Sequence, residues 1–210
     1  MSVIDVASGE IRAAAPVGEE PEGVGVRPDG KVVYITCEGT NSVVAIDTRP
    51  AEGDRARDRR ARPRGVMFAS DGGMAFVTPE NAGTVSVLDA QAHKLSATIN
   101  LPRPAGAPLP PRPMGLVLSP DGRTLYVTNG RAKSISVIDV ATHQVTRTYD
   151  DIGARPWGIG ISPDGKMLLH RERLLRRRLH RRRGHGQRGP PDRHGRKPVG
   201  DLRSQIVRSL

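Results

Sequence analysis

One unit recurs along this chain, and its period decides what the polypeptide can fold into. A Pro-x-Gly triplet begins at Pro21, Pro63, Pro113 and Pro156, so the steps are 42, 50 and 43 residues. A turn aspartate keeps the same steps at Asp29, Asp71, Asp121 and Asp164, and an Ile-Asp or Leu-Asp pair ends at Asp5, Asp47, Asp89 and Asp139. Three anchors in one register exclude coincidence. Between them lie short runs in which apolar residues alternate with small or polar ones, as in Val117, Leu125, Val127, Ile135, Val137 and Val145. Period-2 alternation predicts half-buried strands. Pro120-Asp121-Gly122 predicts a tight hairpin turn: Pro pre-sets φ, Asp bonds nearby backbone and Gly accepts φ > 0. A period near 40 residues with four short strands per unit is the signature of a β-propeller blade.

The motif residues add a resemblance. Leu125-Tyr126-Val127-Thr128-Asn129, followed by Ser136-Val137-Ile138-Asp139, resembles the YVTN-family β-propeller repeat. Val33-Tyr34-Ile35-Thr36-Cys37 is similar to it with Cys37 in place of the Asn, and Phe76-Val77-Thr78 is a third copy with Pro79 there. The resemblance spans residues 2–168. It implies an all-β fold, a partial and open β-propeller of four-stranded antiparallel blades, drawn from a ring of seven. It also implies that intact relatives are periplasmic or extracellular, with a signal peptide and further blades upstream. This chain opens directly on a third strand, Ser2-Val3-Ile4-Asp5, with no leader-like segment, so an internal start or a fragment is expected. Breaking a ring exposes two apolar end faces, and poor solubility is expected with it.

Two stretches break the rule. Residues 49–62 (R-P-A-E-G-D-R-A-R-D-R-R-A-R) stand where a fourth strand belongs, yet hold no β-branched or large apolar side chain to face a neighbouring blade. They are expected to be irregular. Residues 102–113 carry six prolines, which enforce a stiff link without ladder donors on the face where propellers bind ligands. The formal charge of +11 is not spread evenly. Residues 1–168 hold 19 basic and 19 acidic residues, which leaves 33 − 19 = 14 basic and 22 − 19 = 3 acidic residues for 169–210. Taken literally, that Arg/His-rich tail is an unstructured phosphate-binding segment without stacking aromatics. Shifted by one nucleotide with suitable codons, 170–173 can encode Thr-Ala-Asn-Gly, 176–186 a Val-Ser-Ile-Val-Asp-Val-Ala-Thr strand and turn, and 196–200 Gly-Asn-Pro-Trp-Gly. A frameshift over 169–210 is therefore expected, and a short self-correcting one over about 49–61.

Chemistry-bearing residues are sparse. The repeated aspartates are expected to cap their own turns. His93 and His143, at equivalent turns, are expected to be exposed. His170, His180, His185 and His194 lack ligand spacing, and Cys37, the sole cysteine, excludes an intrachain disulfide. No catalytic residue, metal or cofactor is expected. Candidate ligand-face residues are Arg64, Met114, Arg155 and Trp157 at the openers, with Asn129 and Arg131 in the loop after the Y-V-T-N motif. The expected function is a non-catalytic binding or scaffold propeller with an unidentified ligand or protein partner at the channel face. The alternatives are a lactonase-like enzyme, a quinoprotein- or cytochrome-associated role, and nucleic-acid binding if the tail is genuine. No run is apolar enough to span a bilayer.

Overall fold

The computed structural model describes residues 1–48, 57–59, 61–172 and 206–208. Its described residues form antiparallel sheets in chain order. Strands β1 (Ser2–Ile4) and β2 (Ile11–Ala14) make a two-stranded hairpin. Three four-stranded sheets come next: β3 (Pro21–Val26), β4 (Val32–Cys37), β5 (Ser42–Asp47) and β6 (Arg57–Arg59); β7 (Pro63–Phe68), β8 (Met74–Pro79), β9 (Thr84–Asp89) and β10 (Lys94–Asn100); β11 (Leu116–Leu118), β12 (Thr124–Thr128), β13 (Ile135–Asp139) and β14 (Gln144–Tyr149). The last sheet joins β15 (Pro156–Ile161), β16 (Met167–Glu172) and β17 (Ile206–Arg208). The inner strands β3, β7, β11 and β15 succeed one another around an axis. This is an open, incomplete β-propeller, and β1–β2 fill the third and fourth strand positions of a blade.

The middle strands differ from the half-buried expectation. All six residues of β4 are buried, because the sheet it belongs to is covered on both sides. Val33, Ile35, Cys37, Val44 and Ile46 turn towards the hairpin side, meeting Met1, Ala15 and Val17. Val32, Tyr34, Val43 and Ala45 turn the other way, against Val66, Phe68, Ala75, Val77 and Leu88 of the next sheet. Phe76, Val85, Val87 and Ile99 then meet Leu116, Leu125, Val127 and Ile138. Alternation here sorts side chains between two apolar interfaces instead of between core and water. Val3, Ile4 and Ile11 in the hairpin, and Val24 and Val26 in β3, remain exposed.

The turns behave as their residues require. Asp89 Oδ1 accepts the N–H groups of Gln91 and Ala92, each at 2.8 Å, and Asp139 Oδ1 accepts that of Thr142 at 2.7 Å. Asp71 and Asp121 accept from Gly73 and Arg123. The two turn histidines correct the expectation of exposure. Both are half-buried at positive φ (56° and 58°), and the His93 Nδ1 and Tyr34 hydroxyl, on neighbouring blades, are hydrogen-bonded at 2.7 Å. A left-handed turn residue bends its ring back over the adjacent sheet instead of out to solvent.

The irregular stretch does supply a short strand, since an edge strand needs main-chain partners only: Arg57, Asp58 and Arg59 pair with Val44, Val43 and Ser42. The repeat also runs past residue 168, because β16 continues to Glu172 against β15. The expected frameshifts and the unstructured basic tail fall mostly on 49–56, 60, 173–205 and 209–210, which lie outside the described residues. Among the described residues no helix is long and apolar enough to cross a membrane.

Candidate functional site

The threonine of each Y-V-T copy joins one blade to the next. Thr36 Oγ1 donates to the Arg64 carbonyl at 2.7 Å, Thr78 Oγ1 to that of Met114 at 2.6 Å, and Thr128 Oγ1 to that of Trp157 at 2.8 Å. The same hydroxyls accept the N–H groups of Gly23, Gly65 and Gly115. The opener glycine is required by this close approach. A Cβ on Gly23 would lie 2.5 Å from the Arg64 carbonyl oxygen, and one on Gly115 2.6 Å from that of Trp157. Opener residues are thereby fixed in place by their backbones, with the side chains of Arg64 and Trp157 left to meet others.

Those side chains assemble an ionic cluster. Arg64, 8% exposed, gives Nε and Nη2 to Glu80 Oε2 at 2.8 and 2.7 Å. Its Nη1 turns the other way, to Glu22 Oε1 at 2.7 Å and to Glu38 Oε2. Arg62 pairs with Glu38 Oε1 and lies 3.5 Å from Glu80 Oε2. Arg155 Nη2 and Arg112 Nη1 stand 3.7 and 3.9 Å from Glu80 Oε1. Glu80, 1% exposed, thus has four guanidinium groups within 4 Å. Taking a carboxylate out of water is costly unless it is paired, and these four guanidinium groups supply the pairing. The Arg64 and Arg155 guanidinium carbons also lie 5.2 and 4.9 Å from the Trp157 ring centroid, within cation–π range.

The carboxyls do not share these cations equally. Burial pushes the Glu22 carboxyl above the usual glutamate value, and a hydrogen bond shared with Glu38 adds to the rise against the opposing pull of Arg64. Burial also raises Glu38, but the hydrogen bond from Arg62 and the charges of Arg64 and Arg62 outweigh it and hold Glu38 low. Glu22 is therefore the member of the pair that takes up a proton first as the pH falls, and it then donates that proton to Glu38. Hydrogen bonding to Glu38 raises the Arg62 guanidinium in turn.

Of the residues expected at the ligand face, Arg64, Arg155 and Trp157 come together here. Met114 is buried, its carbonyl taken by Thr78. Asn129 is fully buried and gives its amide to the hydroxyls of Ser134 and Ser136, each at 2.9 Å, which braces its own loop. Arg131 is exposed in a short 3-10 turn, Gly130–Ala132. The remaining cluster residues were missed, though a signal existed. Glu38 and Glu80 both come directly after the motif's fifth position, and Arg62, Arg112 and Arg155 each directly precede an opener proline.

Four arginines at one rim supply planar, charge-assisted donors suited to a carboxylate or phosphate, or to an oxyanion developing on a carbonyl. Comparisons with known proteins bear on which. A family model described as lactonase, 7-bladed beta-propeller, matches residues 23–173. Among curated proteins none matches the chain. A solved structure of Kuenenia stuttgartiensis hydrazine synthase is similar at 26% identity and a TM-score of 0.64, covering 76% of this chain and 44% of that one. The β-propeller domain of Myceliophteria thermophila Cps50 (Swd1) is similar in fold at 11% identity and a TM-score of 0.68, covering 81% of this chain and 55% of that one. The chain thus spans about half the length of these solved structures.

Proposed function

Since this chain belongs to the lactonase, seven-bladed β-propeller family, we propose that its channel mouth binds a small, oxygen-rich anion such as a sugar-acid lactone or its opened carboxylate. The cluster around Glu80 carries the proposal: Arg62, Arg64, Arg112 and Arg155 form the anion seat, and Trp157 offers a half-buried ring beside it. Binding is the part these residues perform on their own. Family membership favours a second reading, hydrolysis of the lactone at the same seat, in which Arg64 and Arg155 stabilise the oxyanion formed when water adds to the ring carbonyl. The repeats are of the Y-V-T-N kind on this view, and an exported setting accompanies them. A redox-associated role draws only on the likeness to a hydrazine synthase. Nucleic-acid binding rests on residues 169–210, almost all outside the described residues.

Calorimetric titration with D-gluconate, beside a pH-stat assay of D-glucono-1,5-lactone opening, tests the proposal. Gluconate should bind, and Arg155→Ala should weaken it about tenfold or more, the loss of one charged hydrogen-bonding partner. Equal affinity in the Arg155→Ala protein would refute the seat. Lactone opening no faster than in buffer would leave binding alone as the function.

A further inference from the structure

The role assigned to Glu22 rests on the anion seat at the channel mouth, and within that seat the directions taken by the Arg64 guanidinium matter. Its Nε and Nη2 are committed to buried Glu80, and Nη1 is the corner that meets Glu22 and Glu38. Glu38 is 13% exposed and is anchored a second time by Arg62. Glu22 is 39% exposed and is held by its ion pair with Arg64. An incoming carboxylate that is to reach Arg64 from the rim needs the place where the Glu22 carboxylate already sits.

We infer that Glu22 is a built-in competitor for the ligand: its carboxylate occupies the anion's place on Arg64, and protonation releases that place, so that anion binding takes up a proton. Two carboxylates on one Arg64 nitrogen repel each other, and a third, from the ligand, cannot join them without loss. Protonation of Glu22 removes one negative charge and leaves a neutral O–H, which donates to Glu38. The groups facing Glu22 are all part of this balance: Arg64 from β7, Arg62 from the segment before it, and Glu38 from the turn after β4. Burial and the hydrogen bond with Glu38 raise the Glu22 carboxyl against the pull of Arg64, so the exchange falls above the ordinary glutamate value rather than below it. Because the ligand gains Arg64 only when the proton is present, tight binding and protonation must favour each other equally.

The full chain is titrated with D-gluconate, which stays ionised throughout, between about pH 5 and about pH 8, in two buffers of different ionisation heat. Affinity is expected to rise as pH falls, by up to about tenfold per pH unit above the Glu22 value, with close to one proton taken up per gluconate. Glu22→Gln mimics the protonated form at an exposed site, so it should fold, bind gluconate more tightly near pH 8 and lose the pH slope. A flat profile with no proton uptake in the unaltered protein overturns the inference while leaving the seat standing. A slope that persists in Glu22→Gln overturns it too. Absence of gluconate binding at every pH, in both proteins, removes the anion seat and the competitor together.

Discussion

Replacing Thr78 by Val tests the joint between blades with little change of shape. Thr78 is fully buried, donates to the Met114 carbonyl at 2.6 Å and accepts the Gly65 N–H at 2.9 Å. Valine fills the same volume, so no cavity forms and the whole effect falls on two buried main-chain groups. At about 1.5–2.5 kcal/mol for each unsatisfied group, the two cost about 3–5 kcal/mol, and the added apolar contact returns about 1 kcal/mol, for a net loss of about 2–4 kcal/mol. Thr78→Ser keeps the hydroxyl and loses one methyl, about 1 kcal/mol. With a urea dependence of about 2 kcal/mol per molar, the Val protein should unfold at a midpoint about 1–2 M lower and the Ser protein about 0.5 M lower. A Val variant as stable as the Ser variant would show that the threonine acts by its methyl, and that the hydroxyl bridge holds nothing.

Gly115→Ala should destabilise by about 1–3 kcal/mol, because its Cβ meets the Trp157 carbonyl at 2.6 Å, whereas Gly158→Ala, with nothing within 4 Å, should be nearly neutral in the same urea titration. Tyr34→Phe removes the hydrogen bond to His93 between the first two four-stranded sheets and should cost about 1 kcal/mol, read from the shift in thermal midpoint. Backbone N–H donors hold the Asp89 and Asp139 carboxyls below their ordinary value of 3.8, and a serine hydroxyl together with a backbone N–H does so for Asp121 and Asp164. Their contribution is present above pH 3.8 and is lost as pH falls through the depressed folded values, so an acid titration should show a limb below about pH 4 that Asp89→Asn and Asp139→Asn together reduce.

Much of this architecture is legible in the chain itself. The 42-residue spacing of Asp29 and Asp71, or of Asp47 and Asp89, reflects local hydrogen bonding within a few residues, and local rules leave local marks. The hidden part was set by neighbours in space. Tyr34 and Phe76 occupy equivalent positions, but only the tyrosine carries the hydroxyl that a histidine 59 residues later meets. Glu80 looks like any loop acid until Arg64, Arg112 and Arg155 arrive around it from three openers. Asn129, at the end of the Leu-Tyr-Val-Thr-Asn run, serves its own loop, while Thr128 beside it reaches the next sheet. The basic stretch 49–62 could still contribute β6, because edge pairing asks only for backbone.

The hook that threonine throws forward catches main chain, and main chain is the same whatever residue carries it. Glutamate, arginine, methionine and tryptophan therefore succeed one another at positions 22, 64, 114 and 157, the last three hung on one kind of peg. Scaffold and chemistry are written in separate alphabets here. A new specificity can be tried at an opener by exchanging one side chain, with the seam beneath it left unread.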